Sequence, residues 1–144
     1  MKTKQIAKDY DIDVINVTKR NIERIAKEHE VEKSELTNNA YVIGSDEILL
    51  GLYDDKELKF ASFFHEIGHT LITERFKELI NNDLMLIEYQ AWVEGLKVAR
   101  KYGYKFSNKT FEYILKSLNS FYEDALSTYN SKRRKTCEKN SQQK

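Results

Sequence analysis

The chain has 144 residues, of which 40% are hydrophobic and 33% charged, and its net charge is +1. This length is enough for one domain with a buried core, and the near-neutral charge gives no global field that would favour nucleic acid or a membrane surface. No apolar run approaches the roughly 20 residues that span a bilayer, and Met1–Asp9 lacks the apolar segment of a signal peptide. The single cysteine, Cys137, excludes an internal disulfide and suits a reducing compartment, so we expect a cytoplasmic protein.

The first predicted element follows a polar, weakly patterned segment, Met1–Asp13. Apolar spacing predicts a helix from about Thr18, a suitable N-cap, to Glu30, and we expect it to support a sheet. His29 near its end is expected to be a solvated residue favoured by the helix dipole. No other ligand type stands at metal-binding spacing from it.

Two short β-like runs follow, Asn39–Ile43 and Glu47–Tyr53. Gly44-Ser45-Asp46 between them has the composition of a turn, so we expect a hairpin. The second run is nearly all apolar, which predicts a strand covered on both faces. Gly51 within it indicates either a packing contact or the close approach of an extended substrate.

A histidine pair stands inside the next predicted helix, Glu57 to about Phe76, in the run His65-Glu66-Ile67-Gly68-His69. Residues four apart lie about 40° apart around a helix, so His65 and His69 face one side and can reach a single metal ion. Glu66 projects about 100° away, which suits a general base beside the metal better than a third ligand. The alternative is two polar residues on an exposed helix face.

This motif helix is predicted to begin after Asp54-Asp55, whose carboxylates suit the free N–H groups of a first turn. One face is expected to bury in the core, through Phe60, Phe63, Phe64, Ile67 and Leu71. The other is expected to look toward the site, through Ala61, His65, Gly68, His69 and Ile72. Gly68 within a helix costs about 1 kcal/mol relative to alanine, which a close neighbour over the site would explain.

The following helix, Leu84 to about Tyr102, starts at the cap cluster Asn81-Asn82-Asp83. Its apolar stripe contains Glu88, and a buried carboxylate must be paired or bind a metal because burial without a partner is costly. Ala91 and Gly95 on the same stripe are small. They would let this helix lie close against the motif helix and bring Glu88 to the ion.

The predicted metal ligands are therefore His65, His69 and Glu88. Two histidines and one glutamate form a catalytic zinc set that leaves the fourth position for water. Glu94 is the rival third ligand, but it lies about 240° around the helix from Glu88, off the stripe. The alternative for Glu88 is a salt bridge to a lysine or arginine within the core.

Gly103 is expected to end this helix, and Ser107 or Asn108 to cap the last one. Apolar residues at helical spacing predict a core helix that closes the domain: Phe111, Ile114, Leu115, Leu118, Phe121, Tyr122, Ala125 and Tyr129. From Ser131 onward the chain is polar and basic. We therefore expect one domain over residues 1–130 and a disordered tail over residues 131–144, with a weak nucleic-acid or partner contact as the alternative for the tail.

With this ligand set, the chain resembles the zincin-like metallopeptidases whose third ligand is glutamate. It resembles more narrowly the small ImmA/IrrE-type and related phage or mobile-element metallo-endopeptidase domains. The likeness lies within Tyr41–Arg100, in the histidine motif, the strand Ile48–Tyr53 and the segment Glu88-Tyr89-Gln90-Ala91-Trp92. It implies zinc held by the two histidines and Glu88, with Glu66 as the catalytic base. It also implies an α+β domain whose small, mostly antiparallel sheet packs on the motif helix.

The resemblance implies zinc-dependent hydrolysis of a peptide bond in a protein or peptide substrate, and analogy suggests a repressor-type regulator. Ile48–Tyr53 would hold that substrate extended. No residue clearly matches a transition-state donor, and the conceivable tyrosines are Tyr41, Tyr53, Tyr89, Tyr102 and Tyr104. Two other functions stay open: a zinc-binding regulatory or interaction protein that does not cut its partner, and a helical scaffold without metal.

Overall fold

The computed structural model describes residues 2–142, with side chains described through residue 135. Within this range the chain is an α+β fold, as expected, with six α-helices, one short 3₁₀ helix at Lys33–Leu36 and one three-stranded sheet. The helices are α1 (Lys2–Asp9), α2 (Ile22–Glu28), α3 (Lys56–Leu71), α4 (Glu74–Leu79), α5 (Leu84–Lys101) and α6 (Asn108–Gln142), and the strands are β1 (Asp13–Asn16), β2 (Ala40–Ile43) and β3 (Glu47–Leu50). No helix between residues 2 and 142 is both long and apolar enough to cross a membrane.

The predicted hairpin is confirmed. β2 and β3 pair antiparallel, with Ala40 opposite Leu50 and Ile43 opposite Glu47. Gly44 in the connecting turn has a φ of +64°, a conformation that glycine adopts without strain. β1 pairs parallel with the other edge of β3, so the sheet is mixed rather than mostly antiparallel.

β3 is the central strand, and this corrects the substrate role expected of Ile48–Tyr53. β1 and β2 occupy both edges of β3, so no edge of it is open to an extended peptide. Gly51 is explained by packing, since a Cβ there would collide with the backbone carbonyls of Asn39 and Leu36. The parallel partner β1 has only four residues and pairs with a distant segment, so local pattern did not predict it.

Helices cover both faces of the sheet, as the apolar run of β3 predicted. Ile48 and Leu50 pack against α3 residues such as Phe63, whereas Leu49 packs on the other face against Ile25 of α2. α1 joins the first of these clusters. The motif helix is therefore fixed directly on the sheet.

The first predicted helix is shorter than expected, because α2 begins only at Ile22. Thr18 and Asn21 bind each other in a turn instead. The Thr18 N–H donates to Asn21 Oδ1 at 2.6 Å, and the Asn21 N–H donates to Thr18 Oγ1 at 3.3 Å. Side chains of this type favour turns because they satisfy nearby backbone groups.

The predicted motif helix is divided in two. Asp55 caps α3 by accepting from the N–H groups of Glu57 and Leu58, as expected. α3 then ends before Ile72, whose backbone is extended, and Thr73 caps α4 through its hydroxyl. Of the face predicted to be buried, Phe63, Phe64 and Ile67 are buried and Phe60 is half-buried, whereas Leu71 in the final turn is exposed.

α6 differs most from its prediction. Its first turn is held to α3 by Glu57, which accepts from the Thr110 hydroxyl and the Ser107 N–H. Ile114 is buried, but Phe111, Leu115, Tyr122 and Tyr129 are exposed, so α6 is not a core helix along its length.

The segment expected to be a disordered tail continues α6 through Gln142. Neither glycine nor proline interrupts residues 108–142, so no local signal ends the helix. Residues 122–135 are all exposed. The side chain of Cys137 and residues 143–144 lie outside the described part of the chain, and the domain boundary at residue 130 stays a prediction.

Candidate metal centre

Two glycine contacts bring α3 and α5 together at the histidine motif. A Cβ on Gly68 would collide with the carbonyl of Ala91, and one on Gly95 would collide with the carbonyl of Phe64. At these two positions the backbones of α3 and α5 are therefore in direct contact, with no side chain between them. The expected close approach through Ala91 and Gly95 is confirmed, and it explains why glycine is tolerated within α3.

This contact brings the three predicted ligands into one cluster. His65 Nε2 and His69 Nε2 are 3.1 Å apart. Glu88 Oε2 lies 2.9 Å from His65 Nε2, and Glu88 Oε1 lies 3.1 Å from His69 Nε2. Ligands about 2.0–2.1 Å from a tetrahedral zinc ion are separated by about 3.3 Å, so the donor set fits one ion with little movement. Among the described residues, this is the one group of three or more ligand side chains close enough to share a metal.

The charge states of Glu88 and His65 also suit a cation. Burial by itself raises the pKa of Glu88, but hydrogen bonds from His65 and His69 outweigh it and lower the pKa to about 2. Burial lowers the pKa of His65. Burial has the same effect on His69, but the hydrogen bond to Glu88 outweighs it and raises that pKa. At neutral pH the cluster thus offers an ionised carboxylate and a neutral His65, the forms that bind metals.

Glu66 lies beside the ligands and outside their cluster, as the helical geometry predicted. Burial raises the pKa of its carboxyl group to about 7, although a hydrogen bond from the Val42 backbone N–H acts in the opposite direction. A carboxyl group with a pKa near 7 is suited to take and return a proton at neutral pH.

β2 presents an open edge next to Glu66. The Gly51 N–H donates to the Asn39 carbonyl at 2.9 Å, which shows that Asn39 directs its backbone groups toward the β3 side. In an antiparallel pair, only every second residue of a strand bonds to the partner strand. Ala40 and Val42 therefore direct their backbone groups away from β3, toward the free edge of the sheet. β2, rather than β3, is the strand that an extended peptide could join.

Two clefts meet at this edge, and both include Val42, Glu66 and His69. The smaller, of about 350 Å³, also contains His65 and Glu88 and has aromatic walls: Tyr41, Tyr53, Trp92, Tyr113 and Phe121. The larger, of about 650 Å³, has a mixed lining that includes the charged Glu74 and Lys77 and the apolar Ile72, Leu84 and Ile87. A chain lying along β2 would pass through both clefts and cross the cluster where they meet.

The rival ligands are placed elsewhere. Glu94 accepts hydrogen bonds from Gln90 and Lys97 on its own helix. Glu88 pairs with the two histidines, and no lysine or arginine forms a salt bridge with it within the described side chains. His29 is half-buried and belongs to no ligand group among the described residues.

Most tyrosines considered from the sequence are engaged elsewhere. The Tyr53 hydroxyl bonds to Ser62, and burial raises its pKa to about 12. The Tyr41 hydroxyl donates to a backbone carbonyl at 2.8 Å. The Tyr102 hydroxyl binds Asp9 at 2.6 Å. Tyr104 packs on phenylalanine rings in the core, and Tyr89 is exposed outside these two clefts.

Two residues of the site had no role assigned from the sequence. Tyr113, on α6, lines the smaller cleft and is 41% exposed. Trp92, on α5, stacks on His65 with ring centroids 4.1 Å apart and an interplanar angle of 24°. Tyr113 stands among apolar residues at helical spacing, so the sequence carried no signal that would separate it from the core. Trp92 could have been placed near Glu88 from its position one turn further along the helix.

Comparisons of the chain with protein-family models, curated proteins and solved structures find no match. The site itself therefore carries the functional inference.

Proposed function

We propose that the chain is a zinc-dependent endopeptidase of the zincin-like type, which hydrolyses a peptide bond in an intracellular protein. The observation that carries this proposal is the convergence of His65, His69 and Glu88 within 3.1 Å, with Glu66 alongside in an open cleft. The resemblance described above supports the same function, and by analogy it favours a repressor-type regulator as the substrate.

His65, His69 and Glu88 would hold the zinc ion. Bound there, zinc supplies Lewis-acid chemistry, polarising the scissile carbonyl and lowering the pKa of water toward about 7. Glu66 takes the proton of the attacking water and passes it to the leaving amine. Its buried position and its pKa of about 7 support this role.

The substrate would lie along the open edge of β2. The carbonyl oxygens of Ala40 and Val42 face that edge and can accept from substrate N–H groups. Tyr113 lines the smaller cleft together with Glu66 and the three ligands, and its hydroxyl is our candidate donor to the oxygen that gains charge in the transition state. Tyr41 and Tyr53 are less suitable because their hydroxyls are already bonded within the chain.

The test compares three variants for zinc content and for cleavage of a randomised peptide library read by mass spectrometry. Glu66→Gln should retain zinc and lose cleavage, because only the proton acceptor changes. His65→Ala should lose both. Glu94→Gln is the matched control on α5, and it should retain both. Full cleavage by Glu66→Gln would reject the mechanism.

The same experiment separates the remaining functions. Stoichiometric zinc in the wild-type chain without any cleavage would support a zinc-binding regulatory protein. A wild-type chain that binds no zinc would support a metal-free scaffold.

A further inference from the structure

Trp92 forms the wall of the metal cluster behind His65. It lies one helical turn beyond Glu88 on α5, and its indole ring covers the face of the His65 imidazole at 4.1 Å between centroids. Trp92 is only 5% exposed, and it packs in a cluster with Ala61 and Ile114. The indole is therefore fixed by α3 and α6 as well as by its own helix.

His65 has no polar support on the side of its ring that faces away from Glu88 and His69. A metal-binding histidine commonly donates its second ring N–H to a carboxylate or carbonyl group, which fixes the ring and its tautomer. His65 Nδ1 is buried and has no hydrogen-bond partner within the described part of the chain, and the same holds for Trp92 Nε1. On this side, the imidazole is thus contacted through its face, by the Trp92 indole, and not through a hydrogen bond at Nδ1.

We propose that Trp92 is a positioning residue of the metal site, which orients His65 by stacking in place of the usual second hydrogen bond. This inference rests on the proposed metal ligation by His65. The face of an indole attracts positive charge more strongly than other aromatic rings do. Because an imidazole bound to a divalent cation is more positive than a free one, the stack strengthens on metal binding. Loss of the indole should therefore weaken zinc affinity and not only the fold.

The experiment measures zinc affinity by competition with a chromophoric chelator, together with the thermal midpoint of the metal-free protein. Trp92→Phe retains a ring, whereas Trp92→Leu retains only apolar volume. We expect affinity to fall in the order Trp, Phe, Leu, with a loss of about 10–100-fold for the leucine variant, the usual effect of removing such a support. Ile114→Val is the matched control, because it changes the same apolar cluster. It should lower the thermal midpoint and leave zinc affinity unchanged.

A second measurement uses the wild-type chain and does not depend on how the variants fold. Trp92 is the only tryptophan in the sequence, so intrinsic fluorescence reports on the ring beside His65. Zinc should change the emission in proportion to binding, Co²⁺ should quench it, and His65→Ala should abolish both responses.

Two results would overturn the role of Trp92: wild-type zinc affinity in Trp92→Leu, or unchanged emission in wild-type protein saturated with zinc. Neither result affects the proposed hydrolysis. Conversely, a wild-type chain that binds zinc with the expected fluorescence change but cuts no peptide would remove the hydrolase function and leave the role of Trp92 intact. A wild-type chain that binds no zinc would overturn both.

Discussion

Replacing Gly68 by alanine tests whether the contact between α3 and α5 sets the metal geometry. The added Cβ would collide with the Ala91 carbonyl, which belongs to a helix backbone and cannot rotate away. The two helices must separate by on the order of 1 Å to restore normal contact, because carbon and oxygen atoms pack at about 3.5 Å. Glu88 would move with α5 and leave the imidazoles.

Two losses are expected. Overpacking of this kind costs about 1–3 kcal/mol of unfolding free energy, which lowers the thermal midpoint of a domain this size by roughly 3–10 °C. A displacement of about 1 Å at a reactive site costs about 100-fold in activity, and we expect a clear loss of zinc affinity with it. Thermal unfolding of the metal-free protein and chelator competition measure the two effects separately.

Gly103→Ala is the matched control for this prediction. Gly103 has a φ of +79° and no atom within 4 Å of the position of an added Cβ. Alanine there costs about 1–2 kcal/mol through backbone strain alone and leaves the helices in place. Equal zinc affinity in Gly68→Ala and the wild type would refute the role assigned to the helix contact.

Three further predictions concern the cleft, the metal and α6. Tyr113→Phe should lower kcat about 100–1,000-fold while zinc affinity is retained, because only a donor to the transition state is lost. Removing the metal with a chelator should lower the free energy of unfolding by about 2.7 kcal/mol relative to zinc at 100 times its Kd, measured by urea denaturation. Glu57→Gln should be less stable than the wild type at pH 7, and the difference should shrink as the pH falls below 4.5. Hydrogen bonds from Thr110 and Ser107 lower the pKa of Glu57 in the folded protein from its ordinary value of 4.5. The Glu57 carboxylate therefore stabilises the folded state above pH 4.5, and this contribution is lost as the pH falls through the lower, folded pKa.

Each of these three predictions would be refuted by a specific result. Unchanged kcat in Tyr113→Phe would leave the oxyanion without its assigned donor. Equal denaturation midpoints with and without zinc would show that the ion does not bind the folded cluster. A Glu57→Gln stability difference that is constant from pH 7 to pH 3.5 would show that the contact with α6 does not depend on the charge.

The sequence predicted those parts of the structure that depend on local chemistry. The turn at Gly44-Ser45-Asp46, the Asp55 cap and the shared face of His65 and His69 follow from neighbours within a few residues. The position of Glu88 beside the histidines was also predicted, although it lies about 20 residues further along the chain. A carboxylate within an apolar stripe needs a partner, and the small Ala91 indicates close helix packing.

The parts that sequence analysis missed depend on non-local pairing. β1 has four residues with no strong alternation, and only its pairing with β3 makes it a strand. The sequence analysis consequently left an edge of β3 open to a substrate, whereas β1 occupies that edge in the structure. Tyr113 reaches the cleft because Glu57 fixes the start of α6 on α3, a contact between segments far apart in the chain. α6 continues past Ser131, where the polar composition has no apolar spacing that would predict a helix.

The open edge of β2 also bears on self-association of the protein. Unpaired strand edges promote aggregation unless their backbone groups are blocked. The Ala40 N–H donates to the Asn39 side chain at 3.2 Å, and the Val42 N–H donates to Glu66. Both outward donors are thus occupied within the chain. Glutamine at position 66 can still accept from Val42 through its amide oxygen, whereas alanine would expose that donor and favour edge-to-edge self-association at high concentration.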